Sequence, residues 1–187
     1  MRPRDTVVIF TRLPRLGTVK TRIARTLGAV RARTLHRRLV LRTLHRLARD
    51  RRWRTVLAVT PERGGWREWP RTVPRMGQGL GDLGRRMGQC LRATAALRTI
   101  LVGTDIPDIS ASAVARGFKA LGRARFVFGP APDGGYWLIG WRRLAAWPRR
   151  ALTKVRWSSS HALADSQQSL GGARVALVDL LADVDTV

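Results

Sequence analysis

Along this chain, short apolar runs alternate with longer stretches whose apolar positions recur every three or four residues. The first run, residues 6–11, is bounded by Pro14 and Gly17 and predicts a buried strand. Residues 20–27 predict a short helix closed by Gly28. Val30, Leu35, Leu39, Leu41, Leu44 and Leu47, with Arg and His between them, predict a long amphipathic helix. Residues 55–60 predict a second buried strand, and 61–74, rich in Gly, Pro and Trp, an irregular connection. A Gly-rich stretch over 76–84 runs into a helix expected from about Arg85 to Leu97. A third strand is expected at 99–103, and Ser110 is expected to cap a helix reaching Leu121. Residues 125–128 and 135–140 predict two further strands. Residues 158–170 predict a helix closed by Gly171 and Gly172, and 175–185 a last extended piece.

Strands alternating with helices imply an α/β fold with a mostly parallel sheet between helical layers. At 187 residues, with no repeat or linker interrupting the pattern, one domain over 1–187 is expected. In such sheets ligands bind beyond the carboxyl ends of the strands. That rule selects Arg12 after the first strand, Thr104 and Asp105 after the third, and Asp133 in the loop before a later one. Asp183 and Asp185 close the last extended piece, where alternation puts both carboxylates on one side.

Composition narrows the picture. A hydrophobic share of 44% excludes a disordered chain. No apolar run approaches the ~20 residues of a membrane helix. The basic start leads directly into a strand-like segment too short for a signal-peptide core, so the cytoplasm is the expected compartment. Cys90, the only cysteine, excludes an intramolecular disulfide and a cysteine zinc site. The formal net charge of +24 invites a nucleic-acid reading. Yet the only lysines are Lys20, Lys119 and Lys154, and the arginines are scattered from Arg2 to Arg174. That distribution reads as a solvated basic surface, with nonspecific polyanion binding as its expected consequence.

Four constellations carry candidate chemistry. In the first, Arg12 to Arg22, a strand is followed by a Pro- and Gly-containing loop and a helix start bearing Lys20 and Arg22. Helix-start amides and charge-assisted contacts suit phosphate oxygens, and Gly17 lets a phosphate approach the backbone. The Gly-Lys spacing of a P-loop is missing, which excludes that ATPase motif. In the second, residues 103–108, Asp105 at a strand end is a better ligand for Mg²⁺ or Mn²⁺ than Asp108, a turn residue. In the third, residues 129–136, Asp133 stands in a tight Gly-rich turn, from which it could contact an acceptor or orient a metal-bound water. The fourth is Asp183 with Asp185. Acidic residues number 12 against 36 basic ones, and three constellations hold five of them. His36 and His45, among arginines on a helix, are expected at the surface, and His161 at a helix start. The nucleophile-elbow pattern of a Ser/His hydrolase is absent. The seven Trp residues fall in different elements and read as packing.

In their order, these segments resemble the bacterial radical-SAM/selenodomain-associated transferase 1 family. In some lineages its members are described as arsenosugar-biosynthesis glycosyltransferases. The resemblance runs through residues 10–22, 78–87, 103–108, 129–140, 157–159 and 183–186. Each motif is short; six in one order are specific. The resemblance implies a GT-A fold, a three-layer α/β/α sandwich, and a nucleotide-sugar donor. It implies that Arg12, Gly17, Lys20 and Arg22, with Gln78, Gly79, Asp82 and Gly84, form the nucleotide pocket. It implies Asp105 and Asp185 as metal ligands and Asp133 in the pocket lining. The sequence shows no general base directly, and Asp133, with Asp105, is taken as the catalytic candidate. A related group, similar to phospholactate guanylyltransferases and molybdenum-cofactor nucleotidylyltransferases, transfers a nucleotide from a triphosphate on the same architecture. The chain departs from the family at Arg85, where Glu is usual.

Overall fold

The computed structural model describes residues 5–61 and 69–183. Among the described residues seven strands form one sheet: β1 (Thr6–Arg12), β2 (Arg54–Thr60), β3 (Arg75–Gly77), β4 (Arg98–Val102), β5 (Phe126–Pro130), β6 (Tyr136–Arg142) and β7 (Val175–Leu177). Their order is β3-β2-β1-β4-β6-β5-β7. All neighbours are parallel except β6, which runs antiparallel to both β4 and β5. The helices α1 (Thr21–Leu27) and α2 (Ala29–Ala48) link β1 to β2, α3 (Leu83–Ala93) links β3 to β4, and α4 (Ala111–Ala120) links β4 to β5. The last helix, α5 (Ala162–Gln168), lies between β6 and β7.

Period-two alternation divides the strand side chains between two cores. Val7 and Ile9 pack with Val40, Leu44 and Leu47 of α2 and Phe118 of α4. Val8 points the other way, to Met87, Cys90 and Leu91 of α3. The result is the expected α/β/α sandwich, with both faces of the sheet dry. No helix among the described residues is long and apolar enough to cross a membrane.

The boundaries differ from the sequence expectation in five places. Helix α3 begins at Leu83 rather than 85, because the Asp82 carboxylate accepts from the Arg85 amide and caps it. It ends at Ala93 rather than 97: Thr94 turns extended and its hydroxyl meets that of Thr99 at 2.5 Å. The Gly-rich stretch contains β3, paired with Leu57 to Val59 of β2. The expected helix over 158–170 is confined to Ala162–Gln168, since Ser158 adopts φ 59°. Finally, the last extended piece pairs with β5 only over Val175–Leu177. Beyond it, single bonds from Val178 N to Phe128 O and Leu181 N to Pro130 O carry the chain onward.

Candidate functional site

Strands β1 and β4 end side by side, and a cleft of about 680 Å³ opens over their carboxyl ends. Arg12 comes from β1, Lys20 and Arg22 from the start of α1, and Asp105 and Thr104 from the turn after β4. The strand order thus brings together residues 93 positions apart: the Thr11 and Thr104 hydroxyls lie 3.4 Å from one another beneath the cleft.

Lys20 is the pivot of the first loop. It holds a left-handed conformation (φ 49°, ψ 49°), which costs a residue with a Cβ on the order of 1–2 kcal/mol. The conformation turns its side chain inward, so that Nζ stands 3.0 Å from Asp105 Oδ1. The Lys20 side chain is only 5% exposed, whereas that of Asp105 is 43% exposed. Oδ1 itself is buried and lacks a hydrogen bond, so the ammonium compensates it through charge. The turn carrying Asp105 is clamped from below by Arg46 of α2, whose Nη1 donates to the Pro107 and Ile109 carbonyls. Asp108 is exposed and does not line the cleft.

His36 corrects the surface expectation: it is buried and lines the cleft floor. Its Nε2 lies 3.0 Å from the Arg12 carbonyl and 3.5 Å from Thr11 Oγ1. Burial lowers its pKa below the ordinary 6.5, outweighing the Arg12 carbonyl and Asp105, which favour the charged ring; Lys20 and Arg12 oppose it. A neutral ring donating from Nε2 to the carbonyl satisfies this arrangement. His45 is exposed, as expected.

The Gly-rich stretch acts indirectly. Gln78, Gly79, Asp82 and Gly84 do not line the cleft, nor does Gly17. Gln78 is buried; its Nε2 donates to Thr11 O at 2.7 Å and Ala58 O at 2.9 Å, tying β1 to β2. Its Oε1 accepts from Arg86 Nη2, and Arg86 lies over the Phe10 ring at 5.5 Å and faces the cleft. Burial, then the neighbouring Arg12 charge, pull the Arg86 pKa below the usual guanidinium value. Gly84 is a packing residue: a Cβ there would stand 2.1 Å from the Leu152 carbonyl oxygen. Arg86 was legible only as the i+3 neighbour of Leu83, which also lines the cleft. Arg85, the departure from the family pattern, is exposed and does not line it.

Asp133 lies at the tip of the β5–β6 hairpin, where its Oδ1 accepts from Gly135 N at 2.8 Å. Gly134, at φ 81°, packs beneath Ser160, with room for no Cβ. Asp133 and residues 158–160 complete the cleft wall opposite Lys20. Asp183 lines an adjoining chamber, and Asp185 lies outside the described residues. Among the described residues no cluster of three or more His, Cys, Asp or Glu could hold a metal unaided. Asp105 nevertheless fits a hard cation that takes one or two carboxylates and completes its shell with substrate phosphates. Its buried, charge-compensated oxygen is the observation that supports this fit.

A family model described as an uncharacterized protein conserved in bacteria (DUF2064) matches residues 43–159. No curated protein matches the chain. Among solved structures, a provisionally named nucleotide-diphospho-sugar transferase from Desulfovibrio desulfuricans G20 is 27% identical, with TM-score 0.85, over 98% of this chain and 83% of that one. The 4-diphosphocytidyl-2C-methyl-D-erythritol synthase of Anaerococcus prevotii DSM 20548 is 10% identical, with TM-score 0.59, over 99% and 89% of the two chains. A mannosyltransferase from Pyrobaculum calidifontis, in complex with GDP-Man and Mn²⁺, is 13% identical, with TM-score 0.54, over 98% and 57%. The last two likenesses concern the fold alone. The architecture is that of nucleotide-diphospho-sugar transferases and cytidylyltransferases.

Proposed function

The chain belongs to the DUF2064 family, and from that premise we propose that it is a transferase that moves a sugar from a nucleotide-sugar donor. The observation that carries the reading is the Lys20–Asp105 pair in a cleft flanked by Arg12, Arg22 and Arg86. Lys20, once drawn from Asp105, and Arg22 would meet the diphosphate oxygens through charge-assisted bonds. Arg86, held by Gln78 against Phe10, adds a fixed positive charge to the same cleft. Asp105, with Asp185 as a second ligand, would hold Mg²⁺ or Mn²⁺, which when bound supplies charge neutralisation for the departing nucleoside diphosphate. Asp133, across the cleft, would take the proton of the acceptor hydroxyl.

The resemblance to the radical-SAM/selenodomain-associated transferase 1 family supports a sugar donor, as does the provisional name of the 27%-identical structure. A single domain over 1–187 and a cytoplasmic location belong to the same reading.

A thermal-shift panel tests it, with nucleoside di- and triphosphates and nucleotide-sugars, each with and without Mg²⁺ or Mn²⁺. A ligand bound only by the folded state raises the midpoint according to its concentration and affinity. One nucleotide-sugar should stabilise the chain in a metal-dependent way, and Asp105→Ala should abolish the shift. Release of pyrophosphate from a triphosphate would replace sugar transfer by nucleotidyl transfer, the chemistry of the synthase-like folds. Shifts with nucleic acid alone, vanishing as salt rises, would sink both.

A further inference from the structure

Beside the cleft lies a smaller chamber of about 220 Å³. The two share Leu83, Gly103, Asp105, Asp133, Ser158 and Ser159, so they open onto each other between the two carboxylates. The chamber differs sharply from the cleft in character. Its walls are Met87, Ile106, Tyr136 and Trp157, with the Tyr136 and Trp157 rings edge to face at 6.5 Å. The Tyr136 hydroxyl meets Ser166 Oγ at 3.3 Å, and burial keeps it protonated, its pKa pushed well up. The remaining polar groups are the Ser158 and Ser159 hydroxyls and three carboxylates, Asp105, Asp133 and Asp183. Among the described residues no Lys, Arg or His lines it. Basic residues outnumber acidic ones 36 to 12 in this chain, so a chamber with three acids and no base inverts the average surface.

We propose that this chamber is the acceptor site, and that the acceptor is a hydroxyl compound with an apolar or aromatic face and no negative charge. The inference rests on the transferase reading above and names its second substrate. An anion entering here would lose hydration and face the Asp133 and Asp183 carboxylates, while Lys20 of the neighbouring cleft is already paired with Asp105. A ring or apolar face laid against Tyr136 and Trp157 removes apolar surface from water instead. The chamber mouth puts the acceptor hydroxyl beside Asp133 and against the donor. Its oxygen attacks the anomeric carbon, the bond from that carbon to the diphosphate oxygen breaks, and the hydroxyl proton passes to Asp133. The same chemistry disfavours nucleotidyl transfer to a phosphate acceptor.

Three near-isosteric probes separate the charge classes: tyrosol (neutral), tyramine (cationic) and 4-hydroxyphenylacetate (anionic). Each is titrated by calorimetry at physiological ionic strength, where the diffuse surface field is screened. Tyrosol and tyramine should bind at least about tenfold more tightly than 4-hydroxyphenylacetate, a gap of about 1.4 kcal/mol. In the Asp133→Asn/Asp183→Asn double variant the gap should shrink severalfold, mostly through weaker tyramine binding. Equal or tighter binding of the anion, no binding of any probe, or an unchanged gap in the double variant would overturn the proposal. Nucleotide-sugar stabilisation is measured on the same sample. If it is present while no probe binds, the acceptor inference falls and the transferase reading stands. If probes bind but no nucleotide does, the transferase reading falls, and the acceptor assignment with it.

Discussion

His36 sits beneath the end of β1 with Nε2 on the Arg12 carbonyl, and the charged groups that bear on it are Asp105, Lys20 and Arg12. Its pKa in the folded chain lies below 6.5, so between that value and 6.5 the unfolded chain binds the extra proton. The contribution of a neutral His36 is therefore complete above about pH 6.5 and declines as pH falls through the window below it. The melting midpoint of the wild type should fall more steeply from about pH 7 to about pH 5.5 than that of His36→Gln. Parallel curves would show that His36 does not titrate as its burial requires. The position was legible in the four-residue step of α2, where Ala32, His36, Val40, Leu44 and Leu47 form one buried stripe. Neighbouring arginines masked it. Arg86 was harder to find, because its orientation depends on Gln78, which is buried by two strands from elsewhere in the chain.

At the scale of elements, α3 couples packing to the site. Its first turn carries Leu83 and Arg86 to the cleft, while Gly84 between them lies against the 152–157 segment, near Leu152 and Trp157. Gly84→Ala would force that backbone contact apart, and overpacking of this kind costs about 1–3 kcal/mol. The urea midpoint should drop accordingly with little change in slope, and nucleotide affinity should weaken because Arg86 moves with the helix. A variant as stable as the wild type would refute the close packing. Long periodic elements such as α2 and the three-residue apolar core of β4 (Ile100, Leu101, Val102) were plain in the sequence. The three-residue β3 was not, since a Gly-rich segment has no alternation and its strand character comes from pairing with β2. The reversed direction of β6 had one local sign, the Asp-Gly-Gly turn before it.

For the whole molecule, the +24 charge and the built cleft predict different responses to salt. A diffuse basic surface binds duplex nucleic acid by releasing counterions. With roughly 6–10 phosphate contacts, affinity would fall about 10³- to 10⁵-fold between about 50 and 200 mM salt. Binding of a nucleotide-sugar, with few charges and a partly buried partner in Lys20, should fall far less over that range. Fluorescence anisotropy for the duplex and calorimetry for the nucleotide-sugar give the two slopes; equal slopes would argue against a built site. Charge was the loudest sequence feature and the least informative about the site. Scarcity of acid was the better guide: Asp105 and Asp133 meet across one cleft, with Asp183 in the adjoining chamber.

The β5–β6 hairpin has a further consequence. Because β6 runs against its neighbours, the tip carrying Asp133 reaches the functional rim without any helical crossover. Both of its strands are fixed on both sides, β5 by β7 and β6 by β4. The turn from 131 to 135 is tied to α5: the Gly134 carbonyl accepts from Leu163 N at 2.9 Å, so a change in its length would be felt first at the start of that helix. In this architecture the position of Asp133 is set by strand pairing on one side and by α5 on the other.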